Sequence, residues 1–220
     1  MVTIIDRIIQ IPVDDIKIEG KLDVPKNASG LVLFAHGSGS SRHSPRNNYV
    51  AQVLHNIGIG TLLMDLLSPE EDLDYQTRFN IPLLTQRLIA VTHWVKAEGL
   101  TKDLPIGYFG ASTGAAAALQ AAAALGKDIS AVVSRGGRPD MAGKSNLALV
   151  KAPTLLLVGG LDEMVLELNR TAYDMIYSKK EFAVIPGATH LFEEPGTLEE
   201  AAYKAGAWFI QHLKLSQLAT

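Results

Sequence analysis

The residues Gly110-Ala111-Ser112-Thr113-Gly114 form a G-x-S-x-G sequence between a short apolar stretch and a run of alanines. A serine hydroxyl is a weak nucleophile at neutral pH, so it attacks an acyl carbon only when a base takes its proton and a third group orients that base. A chain with 19 glycines can also contain this pattern by chance, as an ordinary turn. The surroundings of Ser112 decide between the two interpretations.

The context of Ser112 favours a nucleophile. Residues 106–109 form an apolar run that predicts a buried strand, and the alanine-rich segment 113–125 predicts a helix. A G-x-S-x-G sequence at such a junction is a sharp turn that presents the serine above the sheet, and the start of the helix stabilises negative charge beside it. We therefore predict a nucleophile elbow at Ser112.

Residues for the other two roles follow in the chain, each just beyond a predicted strand. Asp162 follows the run 154–158, and His190 follows the run 182–185. Taken singly, Asp162 could cap a helix that begins near Met164, and His190 could be an ordinary loop histidine. Proteins with such an elbow usually carry the nucleophile, the acid and the histidine in this order along the chain. We predict that Ser112 attacks, His190 transfers the proton and Asp162 orients His190.

The tetrahedral intermediate of acyl transfer also needs hydrogen-bond donors aimed at its oxyanion. We expect one of them to be the backbone N–H of Thr113, the residue after the nucleophile. A second usually comes from the loop after the third strand, here AHGSGSS, where we choose Ser38. His36 in the same loop is a competing candidate for the base, but we expect it to hold the loop by hydrogen bonds.

The elements that must position these groups alternate along the chain. Period-2 alternation over 16–24, with 3–11 as its partner, predicts an antiparallel pair. Continuous apolar runs predict strands buried on both faces at 31–35, 61–64, 106–109, 131–133, 154–158 and 182–185. Helices are predicted at 46–57, 80–98, 113–125, 163–177 and 197–214, the last with capping-box spacing between Thr197 and Glu200. This order predicts one α/β domain over 1–220, with a mainly parallel, doubly wound sheet and antiparallel N-terminal edge strands.

The composition excludes several classes of protein. The 20 Lys and Arg against 23 Asp and Glu give a net charge of −3, which provides no electrostatic footprint for nucleic acid or an anionic membrane. No segment has the roughly 18 uninterrupted apolar residues of a membrane span, and no signal peptide is evident, so we expect a cytoplasmic protein. The absence of cysteine excludes disulfides, thiolate zinc sites and a cysteine nucleophile. We expect neither metal nor cofactor, although Glu193 and Glu194 leave a carboxylate pair as an alternative.

The motifs HGSGSS, GASTG, GGLDE and GATHLFEEPG, in this order and spacing, resemble the dienelactone hydrolase family of α/β-hydrolases. The resemblance covers nearly the whole chain and implies a single-domain α/β-hydrolase fold with its nucleophile at Ser112, its acid at Asp162 and its histidine at His190. The namesake enzymes use a cysteine at the elbow. Because this chain has none, their particular lactone substrate cannot be carried over.

The sequence also bears on the substrate. The connection between 131–133 and 154–158, where many α/β-hydrolases insert a lid, is too short here for a large one, which favours a modest ester or lactone over a long lipid. Two pairs of arginines follow predicted strands and could bind a substrate carboxylate or phosphate, namely Arg42 with Arg46 and Arg135 with Arg138. The alternative is that these are solvated loop residues.

Three functional hypotheses remain open on the sequence alone. The first is a serine hydrolase that cleaves a small ester, lactone or thioester through an acyl-enzyme intermediate. The second keeps the triad but changes the acceptor, giving an acyltransferase or small-peptide peptidase. The third is a binding protein that keeps the hydrolase fold without turnover.

Overall fold

Strands and helices alternate around one sheet in the computed structural model of the chain, which describes residues 3–213 and the side chains of residues 6–213. The strands are β1 (Thr3–Val13), β2 (Ile16–Pro25), β3 (Leu31–Ala35), β4 (Gly60–Met64), β5 (Ile106–Ala111), β6 (Ile129–Arg135), β7 (Thr154–Gly159) and β8 (Lys180–Ile185). The α-helices are α1 (Pro45–Asn56), α2 (Ile81–Ala97), α3 (Thr113–Leu125), α4 (Lys144–Leu149), α5 (Glu163–Met175) and α6 (Thr197–His212). Short 3-10 segments lie at Glu71–Leu73, Thr77–Phe79, Gly126–Asp128 and Pro139–Ala142.

The sheet has the order β1-β2-β4-β3-β5-β6-β7-β8. The β1–β2 and β2–β4 pairs are antiparallel, and all pairs from β3 to β8 are parallel. Helices α1 and α6 pack on one face, and α2 to α5 pack on the other. Because both faces are covered, β3 to β7 are almost entirely buried. The predicted α/β-hydrolase fold class is confirmed.

This topology creates a crevice at the carboxyl ends of β3 and β5. The two strands are neighbours, but α1, which follows β3, and α3, which follows β5, lie on opposite faces of the sheet. The connections therefore diverge, which is the arrangement where ligands bind in doubly wound sheets. The crevice lies beside the two segments that the sequence predicts to be functional, the loop after β3 and the turn after β5.

Two sequence predictions about local structure are wrong. Strand β8 was expected to be buried on both faces, but it is the edge strand and only its last residue, Ile185, is buried. Thr197 does not cap α6: Gly196, with φ of 82°, precedes the helix, and the Thr197 hydroxyl donates to the Glu194 carbonyl. The predicted end of this helix at residue 214 lies outside the described residues, and the single domain over 1–220 stays a prediction.

Helix α4 and the 3-10 segments are additions that the sequence patterns do not predict. Within the described range 3–213, none of the helices has the length and apolar character needed to cross a membrane.

Candidate active site

Ser112 lies at the sharp turn between β5 and α3. Its backbone has φ of 50° and ψ of −124°, a conformation that is rare for a residue with a side chain. Two glycines allow the turn, since an ideal Cβ on Gly110 would lie 2.4 Å from the Ala115 Cα and one on Gly114 would lie 2.1 Å from the Ala35 oxygen. The serine therefore stands on a strained, tightly packed elbow of the kind expected from G-x-S-x-G.

Asp162 and His190 are hydrogen bonded to each other. Asp162 lies between β7 and α5, and its Oδ2 is 2.7 Å from Nδ1 of His190. The carboxylate makes no capping bond to α5, so the capping alternative for Asp162 is not what the structure shows. The Asp162 side chain is 14% exposed and that of His190 is 41% exposed. A proton on Nδ1, held by a largely buried carboxylate, leaves Nε2 of His190 free to accept a proton.

The loop that carries His190 is held by Glu194, which the sequence analysis considers only as part of a carboxylate pair with Glu193. Glu194 accepts hydrogen bonds from the hydroxyl of Thr189 at 2.6 Å and from its backbone N–H at 3.0 Å. These bonds hold the pKa of Glu194 below its usual value. Phe192, with φ of 56°, is buried at the other side of the loop. Glu194 thus holds Thr189, the residue before His190, and the buried Phe192 anchors the chain two residues after His190.

Glu193 and Glu194 do not form the carboxylate pair considered from the sequence. Glu193 binds Arg46 at 3.1 Å, while Glu194 bonds to Thr189. Among the described residues, no group of three or more histidine and acidic side chains is arranged to hold a metal ion.

Ser112 and His190 line the same cavity, which has a volume of about 230 Å³. It lies in the crevice between the loop after β3 and the elbow, and its wall also contains Ser38, Arg46 and Arg135. Gly37 brings the loop against Ser112, because an ideal Cβ on Gly37 would lie 2.8 Å from the Ser112 Cβ. The cavity is the place where an acyl carbon could meet the serine hydroxyl.

The loop after β3 differs from its predicted role in one hydrogen bond. The Ser38 N–H, expected to face the oxyanion, donates to Oγ1 of Thr113 at 2.9 Å. The sequence predicts Thr113 only as a backbone donor, whereas in the structure its hydroxyl also accepts a hydrogen bond from the loop after β3. Thr113 itself is the first residue of α3, where backbone N–H groups have no acceptor within the helix. His36 bonds through Nδ1 to the Gly37 carbonyl at 3.0 Å, as expected of a residue that holds the loop.

Two of the four candidate substrate-binding arginines are placed away from this cavity. Arg42 forms ion pairs with Glu19 and Asp65, and Arg138 binds Asp140 through two hydrogen bonds of 2.9 and 2.7 Å. Neither lines the cavity that contains Ser112. Acidic partners in the folded chain hold both guanidinium groups, which favours the alternative that these two arginines do not bind the substrate.

Arg46 and Arg135 do line the cavity. Arg135 ends β6, is only 8% exposed and lies near two aromatic rings, with Cζ 5.8 Å from the centre of Phe109 and 5.7 Å from that of Phe192. Its Nη2 donates to Oδ1 of Asn47 at 3.3 Å, and its buried Nη1 has no hydrogen-bond partner in the described residues. Burial, with a smaller repulsion from Arg46, lowers the pKa of Arg135 to about 10, so the group remains charged at neutral pH.

Comparison with known proteins gives two kinds of relative. A scan against models of protein families finds no match. A segment of 208 residues, 94% of the chain, is 57% identical to proteins of Mycobacterium tuberculosis strains CDC 1551 and H37Rv that are provisionally named phosphoribosyl transferases. The match covers 47% of each of those proteins, so the chain spans about half the length of the curated relatives it matches.

Solved structures cover the chain almost completely. The crystal structure of a dienelactone hydrolase from Anabaena variabilis matches with a TM-score of 0.92 and 50% identity, over 96% of this chain and 99% of that one. A cold-adapted esterase from an Arctic intertidal metagenomic library shares the fold, with a TM-score of 0.77 and 20% identity over 95% of this chain and 94% of that one. A sequence identity of 50% to a dienelactone hydrolase over nearly the full length of both chains shows the family. The chain belongs to the dienelactone hydrolase family and is an α/β-hydrolase.

Proposed function

We propose that the chain is a serine hydrolase that cleaves a small ester, lactone or thioester through an acyl-enzyme. The observation that carries the proposal is the 2.7 Å bond between Asp162 and His190, in a loop that shares a cavity with Ser112 on its elbow. A serine beside a histidine that is held by a carboxylate is what acyl transfer needs for the serine to become a nucleophile. The names of the dienelactone hydrolase and esterases of the same fold agree with this chemistry.

In the first half of the reaction, the Ser112 Oγ attacks the acyl carbon and Nε2 of His190 takes its proton. Asp162 stabilises the imidazolium that forms, and the oxyanion lies beside the Thr113 N–H at the positive end of α3. The tetrahedral intermediate collapses when His190 returns the proton to the leaving alcohol or thiol. A water molecule, deprotonated by His190, then releases the acid and restores the serine.

The size of the site limits the substrate. A cavity of about 230 Å³ holds a short acyl group and lies below the volume typical of pockets for drug-sized ligands. The β6–β7 connection contains only a 3-10 segment and the short helix α4, which leaves no large lid over the crevice. We therefore propose a small-molecule ester or lactone as substrate, with neither nucleic acid nor membrane as a partner.

The name of the mycobacterial relatives does not change the proposal. It describes proteins about twice the length of the matched segment. The described residues of this chain support acyl transfer from an ester, because the groups that meet in the cavity are a serine and a histidine held by a carboxylate.

The first test is mass spectrometry of the intact protein after reaction with a fluorophosphonate. We expect one adduct on the wild type and none on Ser112→Ala or His190→Ala. Ser40→Ala is the matched control, since Ser40 lines the same cavity and its loss should leave the adduct in place. Folded wild-type protein that forms no adduct would contradict the proposal and favour a binding protein.

Turnover and acceptor are measured separately from the adduct. Short 4-nitrophenyl esters should be hydrolysed by the wild type and by Ser40→Ala, but not by Ser112→Ala. Analysis of the products with added alcohols and amines then separates hydrolysis from acyl transfer, and dominant transfer products would replace the hydrolase proposal.

A further inference from the structure

The charge of Arg135 is not matched by an acidic group. The residue is more than nine-tenths buried, and no carboxylate in the described residues bonds to its guanidinium. One neutral amide oxygen, on Asn47, accepts a hydrogen bond from Nη2, and the ring centres of Phe109 and Phe192 lie 5.8 and 5.7 Å from Cζ. Buried charges in proteins are usually paired, so a buried arginine with an unbonded Nη1 at a cavity wall indicates a partner that is not part of the protein.

The rest of this wall is also positive. Arg46 lines the same cavity as Arg135, and the N-terminus of α1 begins there at its cap, Ser44. No acidic residue lies in the first turn of α1 to offset the positive end of the helix. Glu193 binds Arg46 through a largely exposed carboxylate, and the carboxylate of Asp162 is bonded to His190. Two guanidinium groups and a helix terminus therefore lie at one small cavity, and neither of these two acids bonds to Arg135.

We propose that Arg135, assisted by Arg46, binds an oxyanion group of the substrate, a carboxylate or a phosphate, inside the cavity that contains Ser112. This inference rests on the proposed function and names the substrate class of the same site. The guanidinium group is suited to it because its planar set of N–H donors matches two oxygens of either anion.

The sheet register limits the distance between the anion and the reacting carbon. Ala111, just before the nucleophile, pairs with Arg135 across the β5–β6 ladder, and neighbouring strands lie only about 4.8 Å apart. The Ser112 N–H also reaches the Arg135 carbonyl at 3.4 Å. An acyl group with the anion a few carbons from its carbonyl would span the two, so the expected substrates are short esters of dicarboxylic or phosphorylated acids.

The test compares charged and neutral esters that share one leaving group. The carboxylate probe is the 4-nitrophenyl monoester of glutaric acid, and its neutral counterpart is the methyl 4-nitrophenyl diester of the same acid. The phosphate-like probe is 4-nitrophenyl 4-phosphonobutanoate. Wild type should prefer an anionic probe in kcat/KM. In Arg135→Met the ratio of anionic to neutral kcat/KM should fall by about 30-fold or more, because a buried charge-assisted pair is lost.

Two further variants make the result specific. Arg138→Met is the matched control, because that arginine is held by Asp140 outside the cavity, and it should retain the wild-type ratio. Arg135→Lys keeps the charge without the planar fork and should lower the ratio less than Arg135→Met does. A ratio that is the same in all variants, or charged and neutral rates that fall together in Arg135→Met, would overturn the inference.

A binding experiment separates this inference from the proposed function. Calorimetric titration of Ser112→Ala with glutarate and with inorganic phosphate should show binding that Arg135→Met in the same background loses. Tighter binding of phosphate would identify phosphorylated acids as the substrates, and tighter binding of glutarate would identify dicarboxylic acids. Binding of the anions that depends on Arg135, without ester turnover, would support the anion site and refute the hydrolase. Ester turnover without any preference for anions would support the hydrolase and refute the anion site.

Discussion

Replacing Gly114 with alanine should damage the elbow severely, and the structure gives the size of the effect. The added Cβ would lie 2.1 Å from the Ala35 oxygen and 2.5 Å from the His36 oxygen, both backbone atoms at the end of β3. Comfortable nonbonded separations are about 3.5 Å, so α3 or the loop after β3 must move by more than about 1 Å. Inserting a group into a packed core usually costs about 1 to 3 kcal/mol. Because rigid backbone blocks this one, we expect about 3 kcal/mol or more.

The assay is urea unfolding at pH 7, together with the rate of fluorophosphonate labelling under native conditions. Gly99→Ala is the control, since an added Cβ there meets no atom within 4 Å, and its stability should change by no more than about 1 kcal/mol. Gly114→Ala should unfold at lower urea and label much more slowly, because the Ser112 turn shifts with the start of α3. Equal stability and labelling of Gly114→Ala and wild type would refute the close approach and the strained elbow derived from it.

Three other substitutions test the site. Asp162→Asn should lower kcat by about 100-fold or more without unfolding the protein, because the amide no longer holds the imidazole in the right tautomer, and steady-state kinetics with a 4-nitrophenyl ester would check it. Glu194→Gln should lower kcat by several-fold with KM nearly unchanged, because it loosens Thr189 beside His190. Since the folded pKa of Glu194 is lowered, its stabilising effect is present above pH 4.5 and is lost as the pH falls further, so the Tm difference from wild type should shrink in acid. Arg135→Met should raise the free energy of unfolding by about 1 to 3 kcal/mol at pH 7, because burial lowers the folded pKa of Arg135 to about 10 and the buried charge therefore destabilises the folded protein fully at pH values well below 10. A loss of stability in urea unfolding would instead identify a structural arginine.

The parts of the molecule that the sequence predicts well depend on local patterns. The predicted bounds of β3, 31–35, and of α3, 113–125, agree with the structure because an apolar run and an alanine run end at glycine or polar residues. The meeting of Asp162 with His190 was predictable because parallel strands bring their carboxyl ends to one edge of the sheet.

The parts that the sequence does not predict depend on partners distant in the chain. Arg42 and Arg135 both follow an apolar run that predicts a strand, yet only the fold brings Asp65 and Glu19 to Arg42 and leaves Arg135 without an acidic partner among the described residues. Strand order likewise decides which apolar run lies at the edge. The run at 182–185 looks like the other apolar runs in sequence, but in the sheet formed by the described residues β8 pairs with a strand on one side only.

The Thr113 hydroxyl shows the same limit at shorter range. Its bond to the Ser38 N–H joins two residues that are 75 positions apart, so no local pattern reveals it. The left-handed Gly196 at the start of α6 is a different case, because the sequence shows two local signals there. The capping-box spacing predicts Thr197 as the cap, but the glycine before it takes that position in the structure.

The edge position of β8 has a consequence for the newly made protein. The turn at Ser112 is built on strands β3, β5 and β6, whereas His190 follows β8, which comes last in chain order among the described strands and pairs only with β7 within the described sheet. The chain is synthesised from its N-terminus, so Ser112 exists for a time before His190, the base of the proposed mechanism. Without that base a serine hydroxyl is a weak nucleophile. The proposed mechanism therefore predicts that Ser112 becomes reactive only when β8 has paired with β7 and His190 lies at the cavity.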